Sequence, residues 1–105
     1  MTEEISTLTH RIHALLDEPV DRERQEFLAR LEHTLTDGYA RALALEAERN
    51  RLQSRVGEIA AALGDSPPDE LAELARRLSA TDGALQALRD LLVELRTRAR
   101  ELRAA

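Results

Sequence analysis

Cysteine and tryptophan are absent from the chain, which has one tyrosine and one phenylalanine. Without cysteine the protein has no disulfide bonds and no thiolate ligands for a metal, and such a composition is typical of a reducing compartment. We therefore expect a cytoplasmic protein. With so few aromatic rings, the chain also lacks the material for the stacking surfaces on which proteins bind single-stranded nucleic acid.

Lysine is also absent, and all 15 basic residues are arginines, spread among 20 acidic residues for a net charge of -5. No basic cluster marks a surface for duplex DNA, so we expect no nucleic-acid partner. No apolar run approaches the length that spans a bilayer, and the N-terminal stretch MTEEISTL lacks the features of a signal peptide, so we expect no membrane partner. A composition of 43% hydrophobic and 33% charged residues is typical of a folded protein.

Proline and glycine are scarce, and most of them mark two breaks, DEPVD at 17–21 and LGDSPPDE at 63–70. In the second break, Gly64 suits the left-handed cap that ends a helix, and Ser66 suits the cap that begins the next one. The pattern predicts a single helical domain over 1–105. It consists of a short helix over 1–18, a long helix over 19–64, a turn over 65–70 and a second long helix over 68–105.

Between the breaks, apolar residues recur at alternating intervals of three and four, which is the heptad pattern of a coiled coil. A short connection folds the two long helices back antiparallel. The predicted fold class is therefore all-α: a short N-terminal helix followed by a long antiparallel two-helix coiled-coil hairpin. We expect a homodimer to complete the bundle, because the apolar seam of one hairpin supplies little burial.

A register follows from placing Ile59 against Leu71. It sets Gly38 opposite Leu92 and Arg49 opposite Thr81, so a small residue meets a large one and a polar residue meets a polar one. A shift by one heptad sets Gly38 against Ala99 and leaves a gap. The preferred register also predicts three ion pairs between the helices: Glu48 with Arg77, Arg55 with Glu70, and Glu46 with Arg89.

Two residues interrupt the apolar stripe of the first long helix. Gly38 either makes room for Leu92, contacts another subunit, or lines a ligand pocket with its neighbour Tyr39. Arg49, with Thr81 opposite, is interpreted as a polar core position that fixes the register. Its guanidinium is expected to reach Glu46, Glu48 or solvent.

Candidate metal and catalytic residues are few. His10 and His13 share a face of the short helix, with Glu3 or Glu4 as further ligands, whereas His33 maps to an outward heptad position. Two histidines at this spacing are a weak signal, so we expect no metal. The chain has no glycine-rich phosphate loop, no His-Glu-x-x-His motif and no cysteine nucleophile, so we expect neither an enzyme nor a cofactor.

Near the open end of the predicted hairpin, apolar residues extend beyond the seam at Phe27, Leu91 and Val93. A first helix or another subunit would cover such residues. The leading hypothesis is a non-enzymatic protein–protein interaction module, of the adaptor, scaffold or chaperone-like kind, that binds a partner helix beside Phe27, Leu91 and Leu95. The alternatives are a small regulator of transcription acting through a protein partner, and a helical-bundle ligand carrier or enzyme with a cavity near Gly38.

Overall fold

A computed structural model of the chain describes residues 2–18, 23–62 and 68–104, and these residues form three α-helices. Helix α1 spans Thr2–Asp17, α2 spans Arg24–Ala61 and α3 spans Pro68–Ala104. No strand occurs within these described ranges. The all-α class is confirmed, and the close packing of α2 against α3 confirms the helical hairpin. The caps predicted at Gly64 and Ser66 lie outside the described residues.

Helix α2 begins at Arg24, later than the predicted start at residue 19. Proline disfavours helical geometry in the residue before it, which accounts for the end of α1 just ahead of Glu18 and Pro19. The amide of Phe27 donates to the carbonyl of Glu23 at 2.9 Å, so Glu23 occupies the capping position of α2. At the other end, the amide of Ala62 is shared between the carbonyls of Glu58 and Ile59, as is common in a last turn.

The chain divides into two compact units. Unit 1 comprises Met1–Ala42 and Ala87–Ala105, and it therefore contains α1, the first part of α2 and the last part of α3. Unit 2 is Leu43–Gln86 and contains the remaining parts of α2 and α3. The sequence pattern predicted one domain and gave no sign of this subdivision.

Unit 2 is a two-helix coiled coil with a narrow apolar seam. Leu52, Ile59 and Leu74 are buried, and three partly buried residues pack against them: Val56, Leu71 and Leu78. Between the helices, Nη2 of Arg55 lies 3.1 Å from Oε1 of Glu70, so that predicted ion pair is confirmed. The pairs predicted for Glu48 with Arg77 and for Glu46 with Arg89 stay predictions.

Arg49 lies on the seam of unit 2 with 28% of its side chain exposed. Its Nε is 3.8 Å from Oδ1 of Asp82 on α3, a partner that the sequence analysis did not name. Thr81, predicted to face Arg49, is half-buried. The role of Arg49 and Thr81 in fixing the register stays a prediction.

Unit 1 has a wider core to which all three helices contribute. Helix α1 packs within its own chain and buries one apolar face. Several residues of this unit are almost inaccessible to solvent, among them Ile12, Leu31 and Leu95, each 0% exposed. The buried apolar residues are Leu8, Ile12 and Leu15 from α1; Phe27, Leu31, Leu35 and Ala42 from α2; and Leu88, Leu92, Leu95 and Ala99 from α3.

Gly38 is buried in unit 1, directly against Leu92. A Cβ atom added to Gly38 would overlap Cδ2 of Leu92, whose side chain is itself 2% exposed. The predicted register between these two residues is confirmed, and the glycine makes room for the leucine. Gly57 and Gly83 lie within the helices too, but a Cβ atom at either would meet nothing within 4 Å.

The three glycines make a matched test of this packing. Gly57→Ala and Gly83→Ala should each raise the free energy of unfolding by about 0.5–1 kcal/mol, because alanine favours helix. Gly38→Ala should lower it by about 1 kcal/mol, because overpacking a core costs about 1–3 kcal/mol and outweighs the gain in propensity. Urea denaturation followed by circular dichroism measures all three. A Gly38→Ala protein as stable as the other two variants would show that Leu92 does not constrain this position.

Candidate functional site

Phe27 and Leu95, predicted as parts of a partner-binding surface, are 3% and 0% exposed. Leu91 is half-buried. A partner therefore has no access to Phe27 or Leu95 in this structure, because the core of unit 1 encloses both. Of the apolar residues noted at this end of the hairpin, Val93 is 52% exposed.

Tyr39 is 42% exposed, whereas its neighbour Gly38 is buried. The hydroxyl of Tyr39 accepts a long hydrogen bond of 3.5 Å from Nη1 of Arg96. The space beside Gly38 is filled by Leu92. The ligand pocket at Gly38 and Tyr39 stays a prediction.

Two arginines lie against the ring of Phe27. The guanidinium carbon of Arg30 is 5.3 Å from the ring centroid, and that of Arg98 is 5.9 Å from it. Both distances are within the range of an attractive cation–π interaction, which strengthens when the groups are shielded from water. The ring thus links α2 with the last part of α3.

Glu18, directly after α1, accepts hydrogen bonds from both of these arginines. Its carboxylate accepts from Arg30, with Nη2 of Arg30 2.6 Å from Oε2 of Glu18, and this bond raises the pKa of Arg30 above its ordinary value. Its main-chain carbonyl accepts from Nη2 of Arg98 at 3.1 Å. We call Glu18, Phe27, Arg30 and Arg98 the Glu18 joint. The joint fastens the end of α1 to both other helices of unit 1.

A second polar contact holds the middle of α1 against α2. Nη2 of Arg11 donates to Oγ1 of Thr34 at 3.2 Å and to Oδ2 of Asp37 at 3.1 Å. Thr34 is 2% exposed, and this bond satisfies a hydroxyl that burial would otherwise leave without a partner. The sequence pattern does not mark Thr34 as buried, because a polar residue beside an apolar one is ordinary on an amphipathic helix.

A groove with a volume of about 440 Å³ lies between α1 and α2 in unit 1, between the Glu18 joint and the contact of Arg11. Its apolar lining consists of Ala14 and Leu15 from α1 and Ala29 from α2. We call it the α1–α2 groove. Its charged lining residues are Arg11 on α1, Glu18 directly after α1, and Glu26, Arg30 and His33 on α2.

The end of the groove nearest the Glu18 joint is acidic. Glu23 and Glu26 lie close together at the start of α2. A hydrogen bond that the protonated carboxyl of Glu23 donates to Glu26, together with the repulsion between the two carboxylates, raises the pKa of Glu23 above its ordinary value. Arg30 is near enough to oppose this shift in part. Its guanidinium is already hydrogen-bonded to Glu18.

Two properties of the described residues bear on the binding of metals and membranes. His10 and His13 are exposed on α1, and Glu3 and Glu4 have side chains outside the described set. Over residues 2–18, 23–62 and 68–104, no group of three or more His, Cys, Asp or Glu residues is arranged to hold a metal ion. Within the same ranges, no helix has both the length and the apolar character to cross a membrane.

No protein-family model, curated protein or solved structure matches this chain.

The Glu18 joint predicts a selective effect of Arg98. Arg98→Ala should lower the free energy of unfolding by about 1–2 kcal/mol, because it removes a hydrogen bond to the Glu18 carbonyl and a cation–π contact with Phe27. It should also speed amide hydrogen exchange in α1 more than in unit 2. Arg100→Ala is the control, since Arg100 is exposed on the same helix. Equal effects of the two variants would show that the joint does not hold α1.

Proposed function

We propose that this protein is a non-enzymatic interaction module that binds a helix of another protein at the α1–α2 groove. The observation that carries the proposal is the groove itself, an open depression on two helices that are fastened together by Glu18 with Arg30 and by Arg11 with Asp37. We call its apolar lining residues, Ala14, Leu15 and Ala29, the floor. Proteins commonly bind an amphipathic helix in such a groove, with apolar side chains entering it and charged flanks setting the orientation.

The size of the groove limits what enters it. A volume of about 440 Å³ is in the range of small-molecule pockets and admits a few side chains rather than a whole helix. Because Ala14 and Ala29 are small and exposed, a partner helix can approach closely and lay its own small or apolar residues against them. A site of this kind fits an adaptor, scaffold or chaperone-like module.

The proposed binding surface, the α1–α2 groove, differs from the one that the sequence indicated. A partner at Phe27 and Leu95 would have to displace α1, and that displacement breaks the hydrogen bonds of the Glu18 joint. A partner at the α1–α2 groove requires no such change. A regulator of transcription that acts through a protein partner is one specific form of the same interaction function.

A photo-crosslinking residue in place of Ala29 tests the proposal. In cells that express the full chain, Ala29→benzoylphenylalanine should crosslink one protein reproducibly, because position 29 lies on the floor of the groove. The crosslinked protein is identified by mass spectrometry, purified, and shown to bind the unmodified chain.

The matched control is the same residue in place of Ala80, which is exposed on α3 in unit 2. Crosslinking of the same protein from both positions, or from neither, would contradict a binding site at the groove.

We also propose that the protein forms a homodimer through the exposed apolar residues of unit 1. Tyr39 and Val93 are 42% and 52% exposed, and Arg96, one turn after Val93, donates to Tyr39, which indicates that the two residues lie on one side of the unit. Large apolar side chains that cluster at a surface are typical of subunit contacts. This surface lies apart from the residues that line the groove.

Light scattering over a range of concentrations tests the dimer. The full chain should have a molar mass of twice 11.8 kDa, and Val93→Glu should reduce it to 11.8 kDa, since a buried charge at the contact opposes association. Ala87→Glu, an exposed position on α3, should leave the mass unchanged. A monomeric unmodified chain, or a Val93→Glu dimer, would exclude this contact.

A further inference from the structure

The charges along the α1–α2 groove are unevenly distributed. At the end near the Glu18 joint, the carboxylates of Glu18, Glu23 and Glu26 lie around Arg30, and the only other cation of the joint is Arg98, which binds the main-chain carbonyl of Glu18. Arg30 donates two hydrogen bonds to the carboxylate of Glu18. Its Nη2 lies 2.6 Å from Oε2, and its Nη1 lies 3.4 Å from Oε1. Glu23 and Glu26 therefore leave an excess of negative charge at the mouth of the groove.

The crowding of Glu23 against Glu26 is a second observation at this end. The raised pKa of Glu23 reflects first the hydrogen bond between its protonated carboxyl and Glu26, and then the repulsion between the two carboxylates when both are ionised. Both side chains are exposed, so a cation from outside can reach them. A lysine or arginine placed between them would replace the repulsion with two attractive interactions.

The floor of the groove lies beside these carboxylates. Ala14, Leu15 and Ala29 offer an apolar strip on which a helix can lie. On the basis of the function proposed above, we infer that the groove takes a basic amphipathic helix from a partner protein, whose apolar side packs on this strip while its Lys or Arg side chains pair with Glu23 and Glu26.

Two other occupants fit these charges less well. A second copy of the chain could offer the four arginines near the end of α3, but three of them are engaged within unit 1: Arg96 with Tyr39, Arg98 with Glu18 and Arg103 with Glu32. A nucleic acid would bring more negative charge to an acidic site on a chain of net charge -5.

Fluorescence anisotropy with two synthetic peptides tests the inference on the full chain. The first peptide is an amphipathic helix with an alanine-rich and leucine-rich face and lysines on its flanks, and the second has glutamate in place of each lysine. The basic peptide should bind the chain, with an affinity that falls as salt is raised, and the acidic peptide should bind at least tenfold more weakly.

Three variants locate the binding. The double variant Glu23→Gln with Glu26→Gln should raise the Kd for the basic peptide about three- to tenfold, as expected for the loss of two exposed ion pairs. The double variant Glu94→Gln with Glu101→Gln changes the net charge equally at exposed positions of α3 and should leave the Kd unchanged. Ala29→Gln, which fills the floor, should weaken binding at least fivefold, whereas Ala80→Gln should have no effect.

Equal binding of both peptides would overturn the inference. So would equal effects of the two double variants, which would mean that the basic peptide binds through net charge alone. Absence of binding by either peptide would also overturn it. The crosslinking experiment tests the proposed helix-binding function separately. That function is contradicted if position 29 crosslinks no specific protein. A crosslinked partner whose helix is acidic would preserve that function and refute the basic occupant.

Discussion

The contact between Gly38 and Leu92 is the constraint on which the architecture of unit 1 depends. A Cβ atom at Gly38 would overlap the side chain of Leu92, so the absence of a side chain at position 38 of α2 leaves room for Leu92 of α3. A shift of α3 by one heptad would move its residues by about 10 Å along α2. Such a shift would carry Arg98 away from Phe27 and Glu18, and the Glu18 joint would not form.

The Glu18 joint in turn determines where α1 lies. Arg98 reaches the carbonyl of Glu18 from α3, and Arg30 reaches its carboxylate from α2, so the end of α1 is held from two sides. With Arg11 fastened to Thr34 and Asp37, the space between α1 and α2 has fixed walls. A preformed groove binds a partner with a smaller entropic cost than a surface that has to be ordered first. The contacts that hold α1 in place stabilise the fold, and they also keep the groove in a shape that supports the proposed interaction function.

Much of the fold was predictable from the sequence because heptad spacing, proline and glycine report on local geometry. The stripe through Leu31, Leu45, Leu52 and Ile59 predicted the buried face of α2, and the size of Gly38 predicted its partner Leu92. The groove was not predictable in the same way. It depends on how α1 packs over α2, and the contacts that decide this, such as Arg11 with Thr34, join residues far apart in the sequence whose types carry no distinctive spacing.

The register between α2 and α3 is the central claim, and proton–proton nuclear Overhauser effects at Gly38 test it most directly. With methyl-labelled leucine and alanine, the α-protons of Gly38 should show strong cross-peaks to the methyl groups of Leu92, because that side chain fills the space beside the glycine. Cross-peaks from Gly38 to the methyl group of Ala99 in their place would show a register shifted by one heptad. That result would contradict the Glu18 joint and the groove together.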